Sequence, residues 1–330
     1  MDIRSPLSPH NFATPTQPSK YRRVSGRSSQ LSIPASPFMK KLGYGTGVMV
    51  YLYERSPAPS GYRSPWAIKK VNSKTKHLSR DMECRLKKEA NILKELNHVN
   101  IVGFRGLGQT PDGSFCLSME NGEKSLRDLI DEREEFGDGA FAAREIYQVA
   151  VSVAEGLNYL HNEKKLLHGD LKSANVLITG DFESIKICDF GVALALKDDL
   201  SGLKRKSDFY IGSEPWKCKE AINGDEITDK ADMYAYGLII WEMMTLSVPH
   251  TDLLDYSTND DSQDSSYNED LFNEALGSRP PLPDEEKLLK EPNYQPLIQL
   301  FHTCTEENPK KRPSVSQALE ALKSLQMNYI

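Results

Sequence analysis

His168, Gly169, Asp170, Leu171, Lys172, Ser173, Ala174 and Asn175 run in one stretch, and Asp189, Phe190 and Gly191 follow a short interval later. Asp170 is a carboxylate able to take a proton from a hydroxyl, and Lys172 is a cation able to steady a phosphoryl group in transfer. Asn175 and Asp189 supply oxygen ligands of the kind Mg2+ prefers. Far upstream, residues 42–50 read LGYGTGVMV, a glycine turn between two apolar strands. Gly43, Tyr44 and Gly45 there let backbone amides approach phosphate oxygens without Cβ obstruction. A strand rather than a helix follows the turn, which excludes the dinucleotide-binding fingerprint, and no GK[ST] ending is present, which excludes a Walker A loop. Alone, a glycine hairpin is most often only a tight turn, so its weight comes from the residues that follow it.

The first of these is a lysine at the end of the apolar run Trp66, Ala67, Ile68. Lys69 and Lys70 face opposite ways on a strand, so only one of the two points inward. Residues 80–96 have a helical period, with Met82, Leu86, Leu93 and Leu96 on one stripe. Glu89 falls on that same stripe, and an acid on a buried face is costly unless a cation meets it. Lys69 and Glu89 resolve each other, and a lysine held in this way can present its ammonium to the α and β phosphates of a nucleotide.

Other elements must carry these groups. Val48, Val50 and Leu52 read as a strand, and residues 56–65, rich in Pro and Gly, as a turn. Past Ser125 the chain becomes mostly helical: Ile146, Val149, Val153, Leu157 and Leu160 form one amphipathic stripe, and residues 231–246 are apolar almost all round, which predicts a central buried helix. Between these helices, residues 166–167, 176–178 and 185–188 are short apolar runs that suit small strands with polar residues at their ends. Residues 252–270 carry seven acids and no base, and are expected to form a solvated loop inserted between helices. Residues 1–37 hold Ser5, Ser8, Thr14 and Ser36, each followed by proline, beside Arg22, Arg23 and Arg27, the pattern of a disordered, basic, phosphorylatable tail.

A chain of 330 residues with 41 Lys and Arg against 47 Asp and Glu, a net charge of −6, is neither disordered throughout nor a nucleic-acid binder, and 38% hydrophobic residues suffice for a sizeable core. Five cysteines, Cys84, Cys116, Cys188, Cys218 and Cys304, are widely spaced and show no zinc-site pattern, so reduced thiols in an intracellular compartment are expected. The apolar run 234–246 is too short to span a bilayer and contains Glu242. No signal stretch and no lipid-anchoring residue is evident, so neither secretion nor a membrane association is expected.

In this order and at these spacings the glycine turn, AIK, HGDLKSAN and DFG resemble a eukaryotic-type protein kinase over residues 38–326. The resemblance implies an α+β, bilobal fold with a small β-rich N-lobe holding one main helix, at about 38–119, a hinge at about 120–124, and a larger helical C-lobe at about 125–326, with the acidic insert at 252–270 and a C-terminal tail at 327–330. It implies ATP and Mg2+ as cofactors, with Asp170, Lys172 and Asn175 catalytic, and Asn175 and Asp189 holding the metal. Adenine would lie by Met119, Glu120, Asn121 and Gly122, with Met119 as gatekeeper and backbone groups of Glu120 and Gly122 bonding the ring, and with Val50, Ala67 and Leu177 sandwiching it. Gly43, Tyr44, Gly45, Lys69, Glu89 and Asp189 complete the nucleotide site, and Cys188 is read as a packed small hydrophobe beside it.

Lys172 resembles the serine/threonine and dual-specificity pattern, and the stretches IPASPFMKKLGYGTGV, SPWAIKK, HGDLKSAN and GSEPWKCKEA together resemble a MAP-kinase-kinase-like branch of the family, which implies action on protein Ser and Thr hydroxyls in mitotic or proliferative signalling, in cytoplasm and nucleus. Asp232 resembles the family's aspartate that braces the catalytic loop. The segment GSEPWKCKE, residues 212–220, resembles the end of the activation loop, with Ser213 at the substrate-facing hydroxyl position and Glu220 paired with Arg312. Thr14 and Ser36 are candidate sites for an upstream proline-directed kinase, and Ser207 and Tyr210 are candidate regulatory sites in the activation segment. Two departures stand out: Val48 replaces the third glycine of the nucleotide loop, and Gly169 stands where most of the family has the arginine that pairs with an activation-loop phosphate. At the C-terminus Ile330 suits an apolar PDZ pocket, but Asn328 lacks the hydroxyl of the commonest ligand type, which argues against a PDZ-domain partner.

Overall fold

Short runs rich in apolar residues between 39 and 120 form a sheet with one helix beside it. The computed structural model describes residues 39–45, 48–55, 64–71, 79–110, 114–254, 265–282, 288 and 293–325, with the backbone alone for 39–45, 79–80 and 265–268. The proline-directed sites Thr14 and Ser36, the tip of the glycine turn, most of the 56–65 turn, the middle of the acidic stretch and the C-terminal four residues lie outside the described residues. Strands β1 (Met39–Gly45), β2 (Val48–Tyr53) and β3 (Trp66–Val71) precede the helix α1 (Ser79–Glu95), and β4 (Phe104–Gln109) and β5 (Phe115–Glu120) follow it. They form one antiparallel sheet in the order β1-β2-β3-β5-β4. The α1 stripe does turn inward: Leu86, Glu89 and Leu93 are buried, and Leu96, just past the helix, is too.

After β5 the chain crosses to the helical half through Asn121, Gly122 and Glu123 into β6 (Lys124–Ser125) and α2 (Leu126–Phe136). Ser125 caps α2: its Oγ accepts from the Asp128 N–H at 3.1 Å while its own N–H donates to Asp128 Oδ2 at 2.8 Å, and Gly137 closes the other end with φ 72°. Helix α3 (Ala143–Asn158) buries Ile146, Val149, Val153 and Leu157, each such side chain contributing roughly 1.5–3 kcal/mol. It runs into a π turn, Tyr159–Glu163, that swings His161 towards the centre of the lobe.

Then come β7 (Leu166–Leu167), a 3-10 turn at Ser173–Asn175, β8 (Val176–Thr179), β9 (Ser184–Ile187) and β10 (Leu194–Ala195). β6, β8 and β9 form one small sheet and β7 pairs with β10. Among the described residues the helices that follow are α4 (Lys219–Asn223), α5 (Lys230–Thr245), α6 (Ser265–Ala275), α7 (Gln295–Cys304) and α8 (Val315–Leu325). α5 is buried on every side from Ala231 to Met244, Asp232 and Glu242 included. Two acids inside such a helix need partners, and both face the site. One expectation needs correcting: the acidic stretch is not a loop at its ends, since Thr251–Leu254 is a 3-10 turn and Ser265–Ala275 is helical. Its run of acids is compatible with a solvated helix, a state that charge alone does not separate from a loop.

Candidate active site

Register decides which lysine enters the cleft. In β3, Lys69 faces inward and its Nζ donates to Glu89 Oε2 at 2.8 Å and to Asp189 Oδ1 at 2.7 Å, while Lys70 lies on the opposite face. Burial works against the ammonium, but the carboxylates of Asp189 and Glu89 outweigh it and hold Lys69 above the ordinary lysine range. Burial pushes Glu89 up to about 7 against the pull of Lys69, and its Oε1 is buried with no hydrogen-bond partner. Asp189 is also opposed by burial, yet the charge and hydrogen bond of Lys69 hold its carboxyl below the usual range. One cation is thus shared by two acids from elements far apart in sequence.

The catalytic loop hangs from α5. Asp232 Oδ2 accepts the His168 N–H at 2.8 Å and contacts His161 Nε2 at 2.8 Å, and its Oδ1 accepts the Gly169 N–H at 2.9 Å. Complete burial disfavours that charge, but His161, His168 and the Gly169 N–H hold the Asp232 carboxyl below its ordinary value. His168 Nδ1 accepts the Asp170 N–H at 3.3 Å, so its Nε2 must carry the proton that meets the Cys188 carbonyl at 2.9 Å. Its ring lies edge-on to Phe190, centroids 5.0 Å apart. The loop carrying Asp170 and the segment carrying Asp189 are in this way one unit.

Asp170 is held from one side only. Lys172 Nζ lies 3.1 Å from its Oδ2, and Asn175 Nδ2 donates to the same oxygen at 3.2 Å and to the Asp170 carbonyl at 2.7 Å. Oδ1 is left buried without a partner. An unpaired carboxylate oxygen beside a fixed ammonium is the arrangement that can accept a proton from an incoming hydroxyl. Lys172 Nζ also donates to Ser213 Oγ at 2.6 Å, which ties the loop to the segment where a substrate would lie.

The cleft between the lobes is a cavity of about 500 Å³, apolar where Val50, Ala67, Met119 and Leu177 line it and charged where Lys69, Lys172 and Asp189 do. Gly122 is required at its rim, because a Cβ there would come within 2.6 Å of the Leu177 Cβ. Glu120 does not line the cavity: its N–H donates to the Gly103 carbonyl at 2.8 Å and its side chain turns to Lys186 at 3.2 Å, which leaves only its carbonyl for a ligand. Gly43, Tyr44 and Gly45 pair with β2 as the strand running up to the glycine turn. Cys188 lines the same cavity with its thiol pushed up by burial, so it stays protonated and packs as a small hydrophobe.

Residues 37–322 match the protein kinase domain family. The chain belongs to the protein kinase family. It is 50% identical over 323 residues to the human "Lymphokine-activated killer T-cell-originated protein kinase", a match that covers 95% of this chain and 98% of that one. It is 30% identical over 284 residues to "Probable serine/threonine-protein kinase roco7" of Dictyostelium discoideum, covering 81% of this chain and 10% of that much longer protein. Against "Putative mitogen-activated protein kinase kinase kinase 7-like" of Drosophila melanogaster it is 28% identical over 233 residues, covering 70% of this chain and 53% of the other.

The protein is an ATP-dependent serine/threonine protein kinase with a β-rich N-lobe and a helical C-lobe, and protein hydroxyls are its substrates. Protein kinases use ATP and Mg2+, and the residues present fit both. With Asn175 Nδ2 committed to Asp170, its Oδ1 remains for a metal, and the Asp189 carboxylate, 40% exposed, offers a second oxygen.

Sequence reasoning missed one feature of this site. Glu242, fully buried in α5, accepts from Ser173 Oγ at 2.5 Å and from Trp216 Nε1 at 2.9 Å, with Arg127 Nη1 3.9 Å away. Burial pushes Glu242 up to about 7, opposed by the Ser173 and Trp216 hydrogen bonds. It pins the catalytic loop and the end of the activation segment to one helix, and an acid inside an apolar run was its only sequence signal.

Proposed function

We propose that Asp170 takes the proton of the attacking Ser or Thr hydroxyl, and that Lys172 steadies the charge that develops between this hydroxyl and the transferring group. The observation that carries this reading is the asymmetry of the carboxylate: Oδ2 is occupied by Lys172 and Asn175, while Oδ1 has no partner. ATP with Mg2+ supplies the phosphoryl group in electrophilic form, with Asn175 and Asp189 holding the ion, Lys69 the phosphates, and Val50, Ala67, Met119 and Leu177 the base. The backbone of Gly43, Tyr44 and Gly45, the Glu120 carbonyl and the Gly122 N–H are assigned to the nucleotide on the family resemblance, and Glu89 acts through Lys69. Most of the rate enhancement then comes from positioning and fixed charge, with proton transfer worth roughly 10²–10⁴-fold.

The test is Mg2+-dependent transfer of labelled γ-phosphate to a generic basic protein, comparing the intact chain with Asp170→Asn and Lys69→Ala. Loss of transfer in both supports these roles; full transfer by Asp170→Asn removes Asp170 from them.

We further infer a MAP-kinase-kinase-like place in mitotic or proliferative signalling, with the protein located in both cytoplasm and nucleus, and an upstream proline-directed kinase acting on Thr14 and Ser36. The Ser-Pro and Thr-Pro pairs of the basic tail support the last point. Thr14→Ala and Ser36→Ala variants compared in synchronised cells test it: unchanged tail phosphorylation through division would sink the idea. Asn328 speaks against a PDZ-domain partner, and a peptide of the last ten residues put to a panel of PDZ domains tests that. Among the described residues no helix is long and apolar enough to cross a membrane.

A further inference from the structure

Backbone hydrogen bonds fold the activation segment on itself at both ends, and the Leu196 N–H ties its start to the Lys165 carbonyl at 2.8 Å. Near its start, Lys197 N–H meets the Gly202 carbonyl at 2.9 Å and Lys204 N–H meets the Ala195 carbonyl at 2.8 Å; at its end, Trp216 N–H meets the Ser213 carbonyl at 2.9 Å. Between them Ser207 is exposed, and Phe209 is 72% exposed. Tyr210 behaves differently. Its side chain is only partly exposed and packs against the main hydrophobic core.

Two glycines make room for it. A Cβ at Gly212, where φ is +52°, would lie 2.5 Å from Tyr210 Cε1 and 3.0 Å from both Cζ and Oη. At Gly169, where φ is +75°, a Cβ would lie 3.4 Å from the Val192 carbonyl and 3.9 Å from Tyr210 Cε2, so the ring borders the side-chain position one residue before Asp170. Even a Cβ at 212 would collide with the ring, and at 169 a side chain extending past Cβ would compete for the space the ring fills. Three residues beyond the ring, Ser213 Oγ meets Lys172 Nζ at 2.6 Å.

We propose that Tyr210 is a positioning residue whose ring, seated between Gly169 and Gly212, docks the activation segment on the catalytic loop without any phosphate on that segment. The ring then sets Ser213 against Lys172, and through Lys172 the geometry at Asp170. The surroundings of the ring agree. Burial pushes the Tyr210 hydroxyl well above the ordinary tyrosine value and keeps it protonated, and the negative charges of Asp232, Asp170 and Glu220 push it the same way. A phosphoryl group carrying nearly two negative charges would meet those same acids. Tyr210 is thus unsuited to be a phosphate acceptor while docked, and position 169 presents backbone where a cation would be needed to receive a phosphate from Ser201 or Ser207.

This rests on the roles proposed for Asp170 and Lys172, and the two readings fail separately, because transfer by Asp170→Asn reports on the roles alone. The experiment measures kcat and KM for ATP of the full chain, of Tyr210→Phe and of Tyr210→Ala, each before and after phosphatase treatment, with thermal melting alongside. Tyr210→Phe keeps the ring and is expected to stay within about twofold of the intact chain, whereas Tyr210→Ala is expected to lose roughly a hundredfold in kcat with KM for ATP little changed. Phosphatase treatment of the intact chain is expected to leave transfer unaltered.

Wild-type kcat in a folded Tyr210→Ala would overturn the proposal. So would a Tyr210→Phe as impaired as Tyr210→Ala, because the hydroxyl rather than the ring would then matter. Activity lost on phosphatase treatment and restored by rephosphorylation at Ser201 or Ser207 would overturn it too. If Tyr210→Ala does not fold, the Phe variant and the phosphatase arm still decide.

Discussion

Two buried acid–base groups hold this kinase together in opposite ways. Below the active site Arg312 grips Glu220 with a fork, Nη1 to Oε1 at 2.6 Å and Nη2 to Oε2 at 2.9 Å, and its other hydrogen bonds go to the carbonyls of Lys230 at 2.9 Å, Glu306 at 2.7 Å and Glu307 at 3.2 Å. Both carboxylate oxygens are used and the charges cancel, so the group is closed. In the cleft, Lys69 must serve Glu89 and Asp189 at once, and Glu89 Oε1 has no partner. With all three groups ionised that cluster carries one surplus negative charge, with Glu89 buried and Asp189 open to the cleft, which is unfavourable until a cation joins it. A closed pair secures a fold, whereas an incomplete one is ready for a ligand.

The sharpest way to break the comparison is at Arg312. Arg312→Ala leaves Glu220 buried and uncompensated, and should cost about 3–5 kcal/mol of stability by urea denaturation. Arg312→Lys should recover little of it, because an ammonium cannot make the fork. A melting temperature unchanged in Arg312→Ala would show the pair to be ornamental. Lys69→Met should do the reverse: transfer falls roughly a hundredfold, about 2.7 kcal/mol in the barrier, while stability falls less than in Arg312→Ala, because Glu89, already raised to about 7, takes up a proton when the ammonium is gone. Joint collapse of stability and activity in Lys69→Met would erase the distinction between the two groups.

A smaller effect sharpens the idea that the cleft cluster awaits a cation. Mg2+ with a non-hydrolysable ATP analogue, at about thirtyfold above its Kd, should stabilise the intact chain by ~2 kcal/mol in thermal shift. Asp189→Asn removes an oxygen assigned to the ion and should lose most of that shift when Mg2+ is present, while keeping whatever shift the nucleotide gives alone. An equal Mg2+-dependent shift in both proteins would remove Asp189 from the metal site.

The chain disclosed the parts of these groups unequally. Lys69 and Glu89 could be paired from sequence because an acid on an apolar helical stripe demands a cation, and a lysine closed the neighbouring strand. That Asp189 shares the same ammonium was not legible, since it lies 120 residues beyond Lys69 and only the folded cleft brings them within 2.7 Å. Glu242 was visible as an acid in an apolar run, but nothing local named Ser173 and Trp216 as its partners. Helix α5 itself was legible because burial on all sides leaves an unbroken apolar pattern. Helix α6 was hidden because acids, serines and asparagines suit a solvated helix and a loop alike. At Gly169 the sequence showed a missing side chain, and only the fold showed that the Tyr210 ring borders the space that side chain would enter.

The smallest predicted effect tests the incompleteness of the cleft cluster by titration. Folding raises Glu89 from 4.5 to about 7, so between those values the folded protein keeps a proton that the unfolded chain has released. Stability from this group is therefore full below about 4.5 and drains away as pH rises towards about 7, at up to ~1.4 kcal/mol per unit. Asp189 works in the other direction and in another window, because its carboxyl is held below the ordinary 3.8 and its contribution is lost only as pH falls beneath that. Urea denaturation of the intact chain and of Glu89→Gln at about pH 5 and about pH 7 separates the two. The variant should gain on the intact chain by ~1–2 kcal/mol as pH rises, since glutamine has no proton to lose. Parallel curves would mean that Glu89 is ionised throughout, its charge fully met by Lys69, and that the cleft group is as closed as the one around Arg312.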